Sequence, residues 1–156
     1  MMSFGRIFLL SAAFGLLAIS GVQAQTVIAS TDGESPGVRL DVTEVKRGSG
    51  GTLTVKFTIV NDSSERFGFG YKLGDADYKD VSNIGGVHLL DATNKKKYLV
   101  MRDSEKKCVC SSKLKDVEAG KSLNLWAKFP APPEDVQAVS IVVPGFIPLD
   151  DVAISQ

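Results

Sequence analysis

Beyond residue 37, apolar and polar positions alternate with a period of two through most of the chain. Val38, Leu40 and Val42 share one face while Arg39, Asp41 and Thr43 share the other, the mark of a half-buried strand. The turn Arg47-Gly-Ser-Gly-Gly51 leads into a second run. There Leu53, Val55, Phe57 and Ile59 oppose Thr54, Lys56 and Thr58, and Asn61-Asp-Ser-Ser64 closes it. Residues 87–91 and 98–102 flank Ala-Thr-Asn-Lys-Lys-Lys97, which predicts a hairpin-like connection with its lysines in water. In residues 122–129, Leu123, Leu125, Ala127 and Phe129 point one way and Asn124, Trp126 and Lys128 the other. Pro130-Ala-Pro-Pro133 then stops pairing, because proline cannot donate to a ladder. Residues 138–143 and 152–154 predict two further short strands.

About seven to nine short strands follow from this pattern, with no sustained helical period. The pattern predicts an all-β fold, an antiparallel immunoglobulin-like β-sandwich over residues 38–156, with a small closed barrel as the alternative. Antibody domains place a tryptophan between two distant cysteines. Here both cysteines precede Trp126 and stand two residues apart, so the likeness is architectural.

The N-terminus changes the picture of location. Met-Met-Ser-Phe-Gly-Arg6, an apolar run over 7–19 and Gly-Val-Gln-Ala24 match the regions of a secretory signal peptide, with cleavage expected after Ala24. The apolar run is short for a bilayer span, and no later segment reads as a stop-transfer anchor. Residues 25–37 are small, polar and turn-rich, and read as a flexible leader. Removing residues 1–24 takes away Arg6 and no acid, leaving 132 residues with a net charge of −1. That length suits one domain. The balance offers no electrostatic case for nucleic acid or for an anionic membrane surface.

Cys108-Val-Cys110 is the most unusual local feature, since the cysteines of exported chains normally join distant segments. Regular strand geometry places residues i and i+2 about 6.6 Å apart, so a disulfide here requires a bend. Three uses follow: a local disulfide, a thiol redox or metal-binding pair favoured by Lys106, Lys107 and Lys113, or intermolecular and free thiols. A thiol metal site would need further ligands. The only histidine, His88, alternates with Val87 and Leu89 as an outward strand residue. Phe67-Gly-Phe-Gly-Tyr71 puts Phe67, Phe69 and Tyr71 on one face of an extended chain. Such a stripe is either core or, together with Trp126, a partner-binding surface. Asp75, Asp77 and Asp80 form a weak calcium candidate: numbered as a calcium loop from Asp75, the sequence has Asp80 where glycine is needed and Gly86 where the glutamate belongs. Asn61-Asp-Ser63 fits a glycosylation sequon. Neither a catalytic constellation nor a cofactor motif is legible.

Gly86-Val-His-Leu-Leu-Asp91, Lys97-Tyr-Leu-Val-Met-Arg-Asp103, Cys108-Val-Cys-Ser111, Leu123-Asn-Leu-Trp-Ala-Lys-Phe-Pro-Ala-Pro-Pro133 and Val143-Pro-Gly-Phe146 resemble a little-characterised bacterial exported immunoglobulin-like domain. That domain is found alone or ahead of an OmpA-like peptidoglycan-binding domain. The resemblance covers about the last seventy residues and implies an envelope location, with no catalytic residues to carry over. With Gln156 as its last residue, the expectation is the domain alone, without the peptidoglycan-binding module of the longer members. The expected function is a non-enzymatic periplasmic or secreted binding or structural module that recognises a protein partner, without a cofactor. The alternatives are a thiol redox or metal-binding protein using Cys108 and Cys110, and a periplasmic inhibitor or immunity protein.

Overall fold

A computed structural model describes residues 26–69, 72–75 and 81–156 of the chain. The signal-like segment 1–24, Tyr71, Asp77 and Asp80 lie outside these described residues. Among the described residues eight strands appear in chain order: β1 (Ala29–Asp32), β2 (Val38–Gly48), β3 (Thr52–Asn61), β4 (His88–Asp91), β5 (Lys96–Leu99), β6 (Lys121–Pro130), β7 (Ala138–Val142) and β8 (Leu149–Ala153). No helix occurs among the described residues, and none is therefore long and apolar enough to cross a membrane. The strands form two four-stranded antiparallel sheets, in the orders β1-β2-β3-β6 and β5-β4-β7-β8. Connections β3–β4, β5–β6 and β6–β7 pass from one sheet to the other.

Alternation in the sequence becomes burial in the fold. Leu53, Val55, Phe57 and Ile59 of β3 meet Leu125, Ala127 and Phe129 of β6 on the inner face, packed with Val87, Leu89, Val139, Ile141 and Val152 of the second sheet in one core. In β2 the strict alternation fails after Val42, where a bulge shifts the register before Glu44. The extra residue turns Val45 back to the core, three positions after Val42. The β2–β3 hairpin turns through Gly50 and Gly51, at φ of 74° and 69°, a conformation open to glycine and strained for other residues.

The expected leader at 25–37 is corrected here, because β1 lies inside it and pairs with Arg39–Val42 of β2. Ala29-Ser-Thr-Asp32 carries no large apolar side chain, so its alternation leaves no trace in the sequence. Backbone pairing and the 2.6 Å bond from Ser30 Oγ to Asp41 Oδ1 hold it instead. Similarly, the last strand begins earlier than expected, at Leu149; Ile154 N still donates to Gln137 O beside β7, and Ser155 then joins the other sheet.

Both lateral openings of the two-layer structure are stitched by backbone bonds. Beyond β8, Ser155 donates to Val45 O at 2.8 Å and accepts from Arg47 N at 2.9 Å, in parallel sense beside β2. Beyond β5, Met101 donates to Lys128 O of β6 at 2.8 Å. Arg47 adds a side-chain staple: its guanidinium donates to the carbonyls of Pro132, Pro133 and Val136 at 2.6–2.8 Å, holding the β6–β7 connection against the end of β2.

The β4–β5 hairpin depends on Asp91, whose carboxylate accepts from Asn94 N at 3.0 Å and Asn94 Nδ2 at 2.8 Å. These bonds, the side-chain one first, hold its carboxyl below the ordinary value of 3.8. A lowered folded pKa contributes stability that is present above the ordinary value and is lost as pH falls through the folded one. The wild-type urea midpoint is therefore expected to drop between pH 4 and pH 2 more than that of Asp91→Asn, which lacks the titrating group. Parallel urea titrations of the two chains check this.

Candidate functional site

The outer face of the first sheet carries Trp126, 40% exposed, at the centre of β6. It lies opposite Lys56 of β3, whose Nζ meets Glu44 Oε1 at 3.0 Å, and one outward position from Asn124. Thr58 Oγ1 donates to Asn124 Oδ1 at 2.7 Å across the same pair of strands. Trp126 thus separates two depressions, a small one against Thr43, Lys56 and Thr58, and a larger open groove of about 410 Å³ between residues 110–115 and 123–126.

The disulfide builds one wall of that groove. Cys108 and Cys110 are bonded, with Cα atoms 5.3 Å apart, closer than the spacing of a straight strand, so the chain bends at Val109. Asp103 sets up the approach by accepting from Glu105 N and Lys107 N, both at 2.9 Å, which closes the turn bringing Cys108 back opposite Arg102. The bent segment then lies along the edge of β6. Lys128 N donates to Val109 O at 3.0 Å, Ser111 N donates to Trp126 O at 2.8 Å, and Trp126 N donates to Ser111 Oγ at 3.0 Å. After Ser111 the chain leaves β6 to pair Ser112 with Asn83, and Lys113 turns through a left-handed backbone at φ 56°. Leu114 N then donates to Ser82 O at 3.1 Å. The divergence opens the groove, with Leu114 and Leu123 half-buried in its walls and Lys113 and Lys115 exposed.

Cys110 is buried and faces Ala127, whereas Cys108 is half-buried at the rim. A bond enclosing so short a loop restricts the unfolded chain little. Replacing both cysteines with serine is expected to lower stability by about 2 kcal/mol or less, read as a small shift of the urea midpoint without loss of cooperativity.

The remaining expected site residues disperse. Phe69 is 6% exposed and packs edge-to-face on Phe67 with ring centres 5.3 Å apart; Phe67, half-buried, also meets Phe146 at 6.4 Å. The aromatic-platform expectation is corrected at Phe69, which lies in the core as the other expected use of the stripe, while Phe67 is held by backbone bonds to Val117. The bare side of Gly68 receives the Asp116 carboxylate, which pairs with Arg66 at 3.2 Å. Asp75 is engaged by the Arg102 guanidinium, and His88 Nδ1 lies 3.2 Å from Gly86 O. Among the described residues no group of three or more His, Cys, Asp or Glu is arranged to hold a metal ion. Asn61 of the sequon is fully buried, with both amide hydrogens donated, to Glu65 O at 2.7 Å and Val117 O at 2.9 Å. In the folded chain it presents no nitrogen for a glycan. Asn124, Leu114 and Lys115 were not expected at a site. The polar run Ser111-Ser-Lys-Leu-Lys115 beside an outward Asn-x-Trp was their only trace in the sequence.

Comparison of the chain with protein-family models, curated proteins and solved structures finds no match.

Proposed function

We propose that this chain is an exported, non-enzymatic recognition module of the immunoglobulin-like kind, which binds a protein partner in the envelope or outside the cell through the face carrying Trp126. The single observation that carries the reading is the exposure of Trp126 between two grooves on a largely polar sheet face. Large aromatic side chains left half in water supply much of the energy at protein interfaces.

Export is supported by the signal-like pattern of residues 1–24 and by a disulfide, which persists in oxidising compartments. The immunoglobulin-like topology is supported by the order β2-β3-β6 against β5-β4-β7-β8 and by the parallel contact of Ser155 with Lys46. The half-exposed Cys108 favours a second reading, a thiol redox pair. A reduction potential far above that of ordinary structural disulfides would support it, and one below about −300 mV would remove it.

The test is affinity capture from envelope extracts with the processed chain and with Trp126→Ala. The reading expects one protein retained reproducibly by the wild type and depleted at least about tenfold by the variant. Equal retention by both chains, or none by either, contradicts it.

A further inference from the structure

We infer that the groove beside β6 is a strand-docking site, which takes an extended acidic segment of a partner protein as an additional strand on the edge of β6. The inference rests on the protein-binding reading above and names the mode and chemistry of the partner.

Three observations converge on it. The first is an exposed piece of sheet edge. In an antiparallel pair, alternate residues direct both backbone groups toward one neighbour. Trp126 exchanges its N–H and C=O with Ser111, on the side away from β3, so Asn124 and Ser122, two and four residues earlier, direct theirs the same way. Among the described residues, these backbone groups of Asn124 and Ser122 meet no partner, because the segment that covers Trp126 has already departed at Ser112. Such an edge is a template for another strand.

The second observation is charge. Residues 110–115 and 123–126 include two cations, Lys113 and Lys115, and no acid. Among the described residues neither lysine is paired with an acid, although seven ion pairs lie elsewhere among them. Carboxylates fit this wall, and basic segments are repelled from it.

The third is apolar area at matching positions. Trp126 lies at the end of the exposed edge, and Leu114 and Leu123 form the walls. Side chains of a docked strand alternate between two faces. One set would contact Trp126 on the outer face and the other would lie toward Leu123 on the opposite face while the backbone pairs with Asn124, and acidic residues would reach Lys113 and Lys115. Pairing of Ser112 with Asn83 and of Leu114 N with Ser82 O fixes where the covering segment ends, and hence how much edge stays exposed.

The probe is a phage-displayed library of random nine-residue peptides, selected on the full processed chain, with selected peptides resynthesised for fluorescence anisotropy. Selected peptides are expected to combine apolar residues with an enrichment of acidic ones. Asn124→Pro removes an N–H that the β3 ladder does not use, and is expected to weaken them at least about tenfold with little change in melting temperature. Lys113→Glu with Lys115→Glu should do the same and should reverse the selection toward basic peptides. N-methylation of alternate peptide bonds should abolish binding in one register and spare it in the other. Peptides without acidic enrichment, or acidic peptides indifferent to both variants, overturn the inference. Should Trp126→Ala still deplete the captured protein while Asn124→Pro leaves capture intact, strand docking fails and the protein-binding reading stands. If neither variant affects capture, both fail.

Discussion

Phe129→Ala is expected to lower the unfolding free energy by about 3–5 kcal/mol, a large share of what a domain of this size possesses. Phe129 is wholly buried on the inner face of β6, opposite Leu53 of β3, near the end where the β6–β7 connection is held by Arg47. Truncation removes the ring contacts and leaves a cavity that a sheet pinned on both sides cannot close. Urea unfolding followed by Trp126 fluorescence measures the loss. The neighbouring Lys128→Ala serves as the contrast: its side chain points outward and its backbone bonds to Val109 and Met101 persist, so its effect should stay within about 0.5 kcal/mol.

Asn61→Asp should cost nearly as much, about 3 kcal/mol or more, with no loss of apolar area at all. The Asn61 side chain is saturated. Its two hydrogens go to Glu65 O and Val117 O, and its oxygen accepts from Ser63 N at 3.1 Å and Ser63 Oγ at 2.6 Å. A carboxylate keeps the acceptor bonds but sets an anionic oxygen against two carbonyls it cannot serve, in a site closed to water. The penalty should shrink at acid pH, where the introduced group takes up a proton and regains one donor. Urea midpoints at pH 7 and pH 4 test both the size and its pH dependence.

The two substitutions mark what the sequence made legible and what it did not. Phe129 could be assigned to the core from alternation alone, as could all of β3, because a period-two pattern with one large apolar face admits one orientation of the strand. Asn61 reads as a turn residue at the end of a strand and, with Ser63, as a sequon. Its burial depends on Val117, fifty-six positions away, and no local pattern encodes that contact. β1 escaped notice for the opposite reason, since it is held by backbone pairing and carries no apolar stripe.

The site divides along the same line. Trp126 was placed outward by its neighbours Leu125 and Ala127, and the bend at Cys108-Val-Cys110 followed from the short reach of a disulfide across two residues. What made a groove of them was the departure of the chain from β6 after Ser111. That departure is set by pairing of Ser112 with Asn83 and of Leu114 with Ser82, contacts between segments whose polar composition predicts only loops. Phe69 settles an alternative that alternation alone leaves open: a period-two aromatic stripe is either core or surface, and burial at Phe69 makes it core there.

The account places recognition on the Trp126 face, and one measurement addresses that directly. A photoreactive phenylalanine analogue is introduced in living cells at position 126 and, separately, at exposed Lys95 on the β4–β5 hairpin tip, and the adducts are resolved by mass. The account predicts a discrete covalent adduct with one protein from position 126 and none from position 95. Equal labelling from both positions, or adducts from position 95 alone, would contradict it.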